Sequence, residues 1–98
     1  MRLRIRYGVT KLIMWGFRGK VLYPYILFRD GKEDVEDWLF KHEFYHIIQI
    51  RREGWFKFHM KYLYYLVRYG YENNPYEIAA HEIQNNKLTA EERKLKNV

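Results

Sequence analysis

The sequence predicts a small α+β protein, with a three-stranded sheet in front and helices behind. Three observations carry that expectation. Residues Arg2 to Tyr7 alternate charged and apolar side chains, the two-residue period of a half-buried strand. The run from Trp38 to Ile50 is apolar nearly all round, as in a buried central helix. Two strong helix starts follow it, Asn74-Pro75 and Thr89-Ala90-Glu91-Glu92. A chain of 98 residues has room for one modest core. Its ten Tyr, six Phe and three Trp are the means of packing that core densely.

In chain order, Arg2 to Tyr7 is the first strand and Gly8 punctuates it. Lys11 to Trp15 and Val21 to Phe28 read as two more strands, joined by a turn around Gly16-Phe17-Arg18-Gly19. Pro24 lacks the N–H a central strand needs, so it puts its strand at a sheet edge or breaks it in two. Asp30-Gly31 closes the sheet region. The carboxylates of Glu33, Asp34, Glu36 and Asp37 then gather where a helix begins, the charge its N-terminal end favours. That helix ends at Arg51-Arg52-Glu53-Gly54. A second helix, Trp55 to Tyr69, carries Lys57, Lys61 and Arg68 in one narrow stripe at about 100° per residue. The stripe faces water, and the aromatic remainder is expected to be covered by protein, with peripheral membrane attachment through Trp55 to Tyr69 as the lesser reading. A third helix starts at Pro75, capped by Asn74, and runs to about Asn85. A capping box at Thr89 opens a short tail helix.

The composition excludes several chemistries. The chain has no cysteine and no serine, so disulfides, thiolate metal sites and the common covalent nucleophiles are absent. No apolar run reaches the ~18 residues of a membrane span. The alternating N-terminus is unlike a signal peptide, so a cytoplasmic protein is expected. Few Ser, Thr and Gln beside many Lys, Arg and Glu lean toward a thermophilic source.

One constellation carries chemistry. His42-Glu43-Phe44-Tyr45-His46 has the H-E-x-x-H spacing. Residues four apart lie one turn up the same helix face, so both imidazoles can bind one ion. Glu43, rotated ~100°, stays off the ion but beside its open position. Zinc brings the pKa of water toward ~7, within reach of a neighbouring carboxylate base. The plain alternative is a pair of core histidines satisfied by ordinary hydrogen bonds. A catalytic zinc needs a third protein ligand. His59, Glu72, Glu77, His81 and Glu82 are the candidates, and Glu77, in the first turn after Pro75, is the best placed. Glu77 could equally complete a capping box with Asn74. His59 lies opposite the wet stripe and reads as a core histidine. Gln49, three after His46, reads as a hydrogen-bonding residue of the helix interface.

The combination His-Glu-x-x-His-x-x-Gln, an aromatic helix, then Tyr71-Glu72-Asn73-Asn74-Pro75-Tyr76-Glu77-Ile78-Ala79-Ala80 resembles the gluzincin zinc metallopeptidases. At this length the chain is most similar to their soluble minimal members, the minigluzincins. The resemblance spans about Tyr25 to Gln84. It implies a hydrolase, a zinc metalloendopeptidase holding one zinc per chain on His42, His46 and Glu77, with Glu43 as general base and a peptide or protein as substrate. It also implies that the strand Tyr25 to Arg29, as a sheet edge, lines the cleft. Many gluzincins have an acidic residue four after the third ligand. Here that residue is His81, so His81 or Glu82 is the candidate to orient a zinc-binding histidine. Tyr71 and Tyr76 are the candidates for stabilising an oxyanion.

Minigluzincins resemble zymogens whose C-terminal segment covers the cleft. Residues 1–86 are accordingly expected to form a minimal catalytic domain. Residues 87–98 are expected to close over it and hold it latent, in cis or by exchange within a homodimer. The tail's apolar side is Leu88, Ala90 and Leu95. The alternative from another class is a basic, aromatic nucleic-acid-binding module with a structural or absent metal, suggested by the net charge of +6. The basic residues are scattered and no nucleic-acid motif is present, so no nucleic-acid partner is expected.

Overall fold

In a computed structural model, which describes residues 3–9 and 17–97, the chain is α+β with a three-stranded sheet and four helices. Strand β1 is Arg4–Arg6, β2 is Gly19–Leu22 and β3 is Tyr25–Phe28. A 3-10 turn at Lys32–Asp34 leads into α1, Asp37–Glu53, followed by α2, Trp55–Tyr69, α3, Pro75–Ile83, and α4, Ala90–Lys96. The strand expected at Lys11 to Trp15 lies outside the described residues.

The run expected as one strand, Val21 to Phe28, is two. The Tyr23–Pro24 peptide is cis, and the chain turns there so that β2 and β3 pair antiparallel, with Val21 opposite Ile26. Gly19, expected in a turn, begins β2. β1 pairs parallel to the other side of β3, with Ile5 opposite Ile26, which gives the order β1-β3-β2. The expectation that Tyr25 to Arg29 is an edge facing the cleft is therefore corrected: β3 is the middle strand, and β2 is the one that packs on α1 beside the motif.

α1 is the hub, and its faces divide the labour. At about 100° per residue, Phe40, Phe44 and Ile47 share one face, and His42, His46 and Gln49 share another roughly 150° around. The first face packs on Ile26 and Phe28, with Val35, Leu39 and Leu88 completing the core. The rings of Phe28, Phe40 and Phe44 stack in series, with centroids 5.8 and 6.1 Å apart. A second cluster of Ile50, Phe58 and Tyr76 joins α1, α2 and α3. Gly54, at φ 91, is the single residue between α1 and α2, and its positive φ lets one helix stop and the next begin at once. Asn74 caps α3 as expected, its side chain accepting from the Tyr76 N–H at 2.9 Å.

α2 departs from expectation. Its basic stripe is in place, but the aromatic remainder is not covered: only Phe58 is buried, and Phe56, Met60, Leu63, Tyr64 and Val67 are exposed. No helix among the described residues is long and apolar enough to cross a membrane.

The tail is the other departure. Thr89 forms its capping box with Glu92, as expected. Leu88 is buried in the main core, Lys41 Nζ donates to Glu92 Oε1 at 2.6 Å, and the Tyr7 hydroxyl donates to the Lys96 carbonyl at 2.6 Å. Lys96 Nζ reaches Asp37 Oδ1 at 2.6 Å. Lys41 and Glu43 point about 160° apart on α1, so α4 lies on the side of α1 away from Glu43. The segment expected to close over the cleft is instead part of the core, because Leu88, with Leu95 packed beside the core, and the buried carboxylate of Glu92 find their partners there. Replacing Leu88 by Ala is expected to cost about 3 kcal/mol of stability by urea denaturation, and Glu92→Ala about the same, by leaving the Lys41 charge buried without its partner. A midpoint unchanged in both variants would contradict this docking.

Candidate metal centre

The site forms where two helices with different reasons for their positions converge. α1 presents His42 and His46 one turn apart, while Asn74 and Pro75 fix the start of α3 so that Glu77 falls in its first turn. The Asn74 side chain, fully buried, also donates to the Tyr62 carbonyl at 3.2 Å, which ties α3's start to α2. Glu77 Oε1 then lies 2.9 Å from His42 Nε2 and 3.1 Å from His46 Nε2. His46 and Glu77 are buried and His42 nearly so. Glu77 completes no capping box. Its other oxygen, Oε2, accepts a hydrogen bond from the Tyr62 hydroxyl.

The far side of each imidazole is held as well. His46 Nδ1 meets Gln49 Oε1 at 2.8 Å, and Gln49 Nε2 donates to the Tyr76 carbonyl at 3.1 Å. That second bond fixes which end of the amide is which, so Gln49 presents an acceptor and His46 Nδ1 carries the proton. The same contact recurs at His42, whose Nδ1 is 2.8 Å from Gln84 Oε1. A neutral imidazole with a proton on Nδ1 has a bare lone pair on Nε2. Two such lone pairs aimed at one carboxylate oxygen repel it unless a cation, proton or metal, stands among them. The ligand atoms of His42, His46 and Glu77 all lie within 4.8 Å of one another, and this trio can hold a metal ion.

Electrostatics agree with the geometry. Burial opposes the charge on His46, and is outweighed by the Glu77 hydrogen bond and the charges of Glu77 and Glu43, so its pKa is raised; His42 is raised in the same way. Burial alone would raise Glu77, but hydrogen bonds from both histidines and Tyr62 hold it well below the usual carboxylate range. Glu43 is different. Its carboxyl is almost wholly out of water, and burial pushes its pKa up.

Glu43, His46 and Glu77 line one cavity of about 250 Å³, walled by Gly19 and Val21 of β2, Phe58, His59 and Tyr62 of α2, and Tyr71. A second cavity opens on the His42 side, lined by Tyr71, Glu72, Glu77, His81 and Glu82. Tyr71 and Glu77 belong to both. Burial pushes the Tyr71 phenol up, with the charges of Glu77 and Glu43 adding to it.

Several expected roles move. His81 and Glu82 line a cavity wall, and the histidines are oriented by Gln84 and Gln49 instead. His59 is neither core nor ligand: it sits on the cavity wall with Nδ1 2.7 Å from the Trp55 carbonyl. Tyr76 is turned away, donating to Glu53 Oε2 at 2.5 Å. Gly19, Tyr62 and Gln84 were not singled out by the sequence. Gln84 is seven residues beyond Glu77, about 20° away on the same helix face, and that spacing is a signal for it. Gly19 has no such signal. A Cβ there would stand 2.8 Å from Glu43 Cγ, so only glycine lets β2 approach the carboxylate this closely.

Comparison with protein-family models, with curated proteins and with solved structures finds no match.

Equilibrium dialysis against Co2+ is expected to find a single ion per chain in the wild type and none in Glu77→Ala. Gln49→Leu should weaken binding about 10- to 100-fold by freeing the His46 ring. Equal affinity in all three proteins would place the ion elsewhere.

Proposed function

We propose that this chain is a zinc-dependent peptidase of the gluzincin kind, in which His42, His46 and Glu77 hold the zinc and Glu43 is the general base. The observation that supports it most is the pairing of two glutamine-oriented imidazoles on a shared carboxylate, with a second, buried carboxylate in the cavity that His46 and Glu77 line. Two imidazole nitrogens and a carboxylate oxygen suit zinc, whereas magnesium and calcium take oxygen ligands. Ligands ~2.05 Å from zinc in a tetrahedron stand roughly 3.3 Å apart. The two nitrogen-to-oxygen distances here, 2.9 and 3.1 Å, need to grow by only a few tenths of an ångström.

Bound at this point, zinc supplies Lewis acidity, which polarises a peptide carbonyl and acidifies water. The chain's own residues do the rest. Glu43, pressed against Gly19, takes a proton from the attacking water and delivers it to the departing amine. Gln49 and Gln84 hold both imidazoles with Nε2 inward throughout. Tyr71, which lines both cavities beside Glu77, is the phenol placed to hydrogen-bond the oxyanion. Phe17, Val21 and Leu66 on the cavity wall favour an apolar side chain next to the scissile bond. Latency through residues 87–98 has no part in the reading, since that segment is docked behind α1.

Zinc-loaded protein incubated with a mixed peptide library, followed by mass spectrometry, is expected to cleave beside apolar residues. Glu43→Gln should lose about a hundredfold to ten-thousandfold of that activity while keeping its zinc. Gly19→Ala, which displaces Glu43 and leaves the three ligands alone, should lose activity and keep zinc as well. Cleavage surviving unchanged in Glu43→Gln would remove Glu43 from the chemistry.

A further inference from the structure

Among the described helices, α2 is the one that turns its apolar side outward. Phe56, Met60, Leu63, Tyr64 and Val67 are 70, 54, 56, 58 and 80% exposed. At about 100° per residue they form one continuous face of roughly 100°. An apolar stripe of this extent on a small protein marks something that covers it.

The flank of the stripe says what. Lys57, Lys61 and Arg68 run alongside it, centred about 100° further round, with Arg51 and Arg52 exposed just before the helix. No Asp or Glu occurs between Glu53 and Glu72, and Glu53 is itself occupied by Lys61 and Tyr76. The complement of this surface is apolar with an anionic border. Pairing of two α2 helices from two copies does not provide it. Antiparallel pairing of two α2 helices sets each cationic stripe against the other, and parallel pairing sets it against Trp55, His59 and Leu66, which carry no negative charge.

We infer that α2 is a docking surface for an anionic lipid bilayer. The face is a convex ridge, which a bilayer interface accommodates and a protein partner must match with a groove of its own. Trp55 stands exposed at the start of the helix, on the flank opposite the cations. Lys57 and Arg68, both exposed, have stems long enough to carry charge to lipid phosphates beside the apolar face, while Lys61 is engaged by Glu53. The opposite flank of α2, through Phe58, His59, Tyr62 and Leu66, lines the cavity at Glu43. A docked helix therefore sets that cavity close to the membrane surface, where a membrane-associated chain can reach it. Lipid binding itself does not depend on the peptidase reading.

The test is vesicle flotation at low salt, comparing phosphatidylcholine vesicles with vesicles that include phosphatidylglycerol, together with tryptophan emission. Wild type is expected to float with the anionic vesicles and to shift its emission to the blue. The double variant Leu63→Gln/Val67→Gln should stay at the bottom, and Lys57→Gln/Arg68→Gln should bind more weakly by about fivefold per cation removed. Far-UV circular dichroism checks that each variant is folded, and Val67→Gln alone, at the most exposed of these positions, should weaken binding if the double variant is not. Three results would overturn the inference: wild type that ignores anionic vesicles, binding that survives loss of the apolar residues, or a wild-type dimer in sedimentation that Leu63→Gln/Val67→Gln makes monomeric.

Discussion

One carboxylate oxygen, Glu77 Oε1, lies within 3.1 Å of two imidazole nitrogens, and the rest of the molecule is arranged to keep it there. With neutral rings, these three electron-rich atoms repel one another. Something has to hold each from behind. Gln49 and Gln84 hold the rings, Tyr62 holds the second carboxylate oxygen, and the Asn74 cap holds the helix start from which Glu77 projects. Every one of these groups is satisfied, for no buried side-chain nitrogen or oxygen among the described residues lacks a partner. A cluster this fully braced costs stability in a chain with one small core, where buried charge is expensive. The same arrangement can hold a cation.

The core is divided to serve that cluster. The sheet and α4 pack on α1 from one side and brace it as a rigid post, with Leu88 and the Lys41–Glu92 ion pair closing the back. α2 and α3 pack on the other side through a smaller aromatic cluster and leave a cavity between themselves and β2. Glu43 sits at the seam between these halves. It shares a cavity with His46 and Glu77 and is shielded by Gly19, whose missing side chain decides how near the sheet can come. Rigidity behind and openness in front follow from one helix having three differently used faces.

The helices were legible in the sequence because their punctuation is local. Gly54, Asn74-Pro75 and the Thr89–Glu92 box each act within a few residues, and all stand where expected. The His42, His46 and Glu77 positions were legible too, since helical spacing and one capped start bring them within reach of each other. What failed was decided at long range. Whether β3 is an edge depends on where β1 returns, and β1 carries no sign of its partner. The covering expected over α2 and the cleft-closing role expected of residues 87–98 both required knowing which surfaces meet. Leu88 is a single apolar residue in a polar stretch, and only the long-range packing of the segment makes it part of the core. Gln84 was hidden for a chemical reason: an amide is a common surface residue until an imidazole faces it, whereas Gln49's hydrogen bonding at the helix interface stands where expected.

The most direct test of this account is a crystal structure of the zinc-soaked protein with anomalous scattering collected at the zinc edge. The account predicts a single strong peak between His42 Nε2, His46 Nε2 and Glu77, with Gln49 and Gln84 still bound to the Nδ1 atoms. Zinc bound at another place, with the histidine–glutamate contacts unbroken, would contradict it.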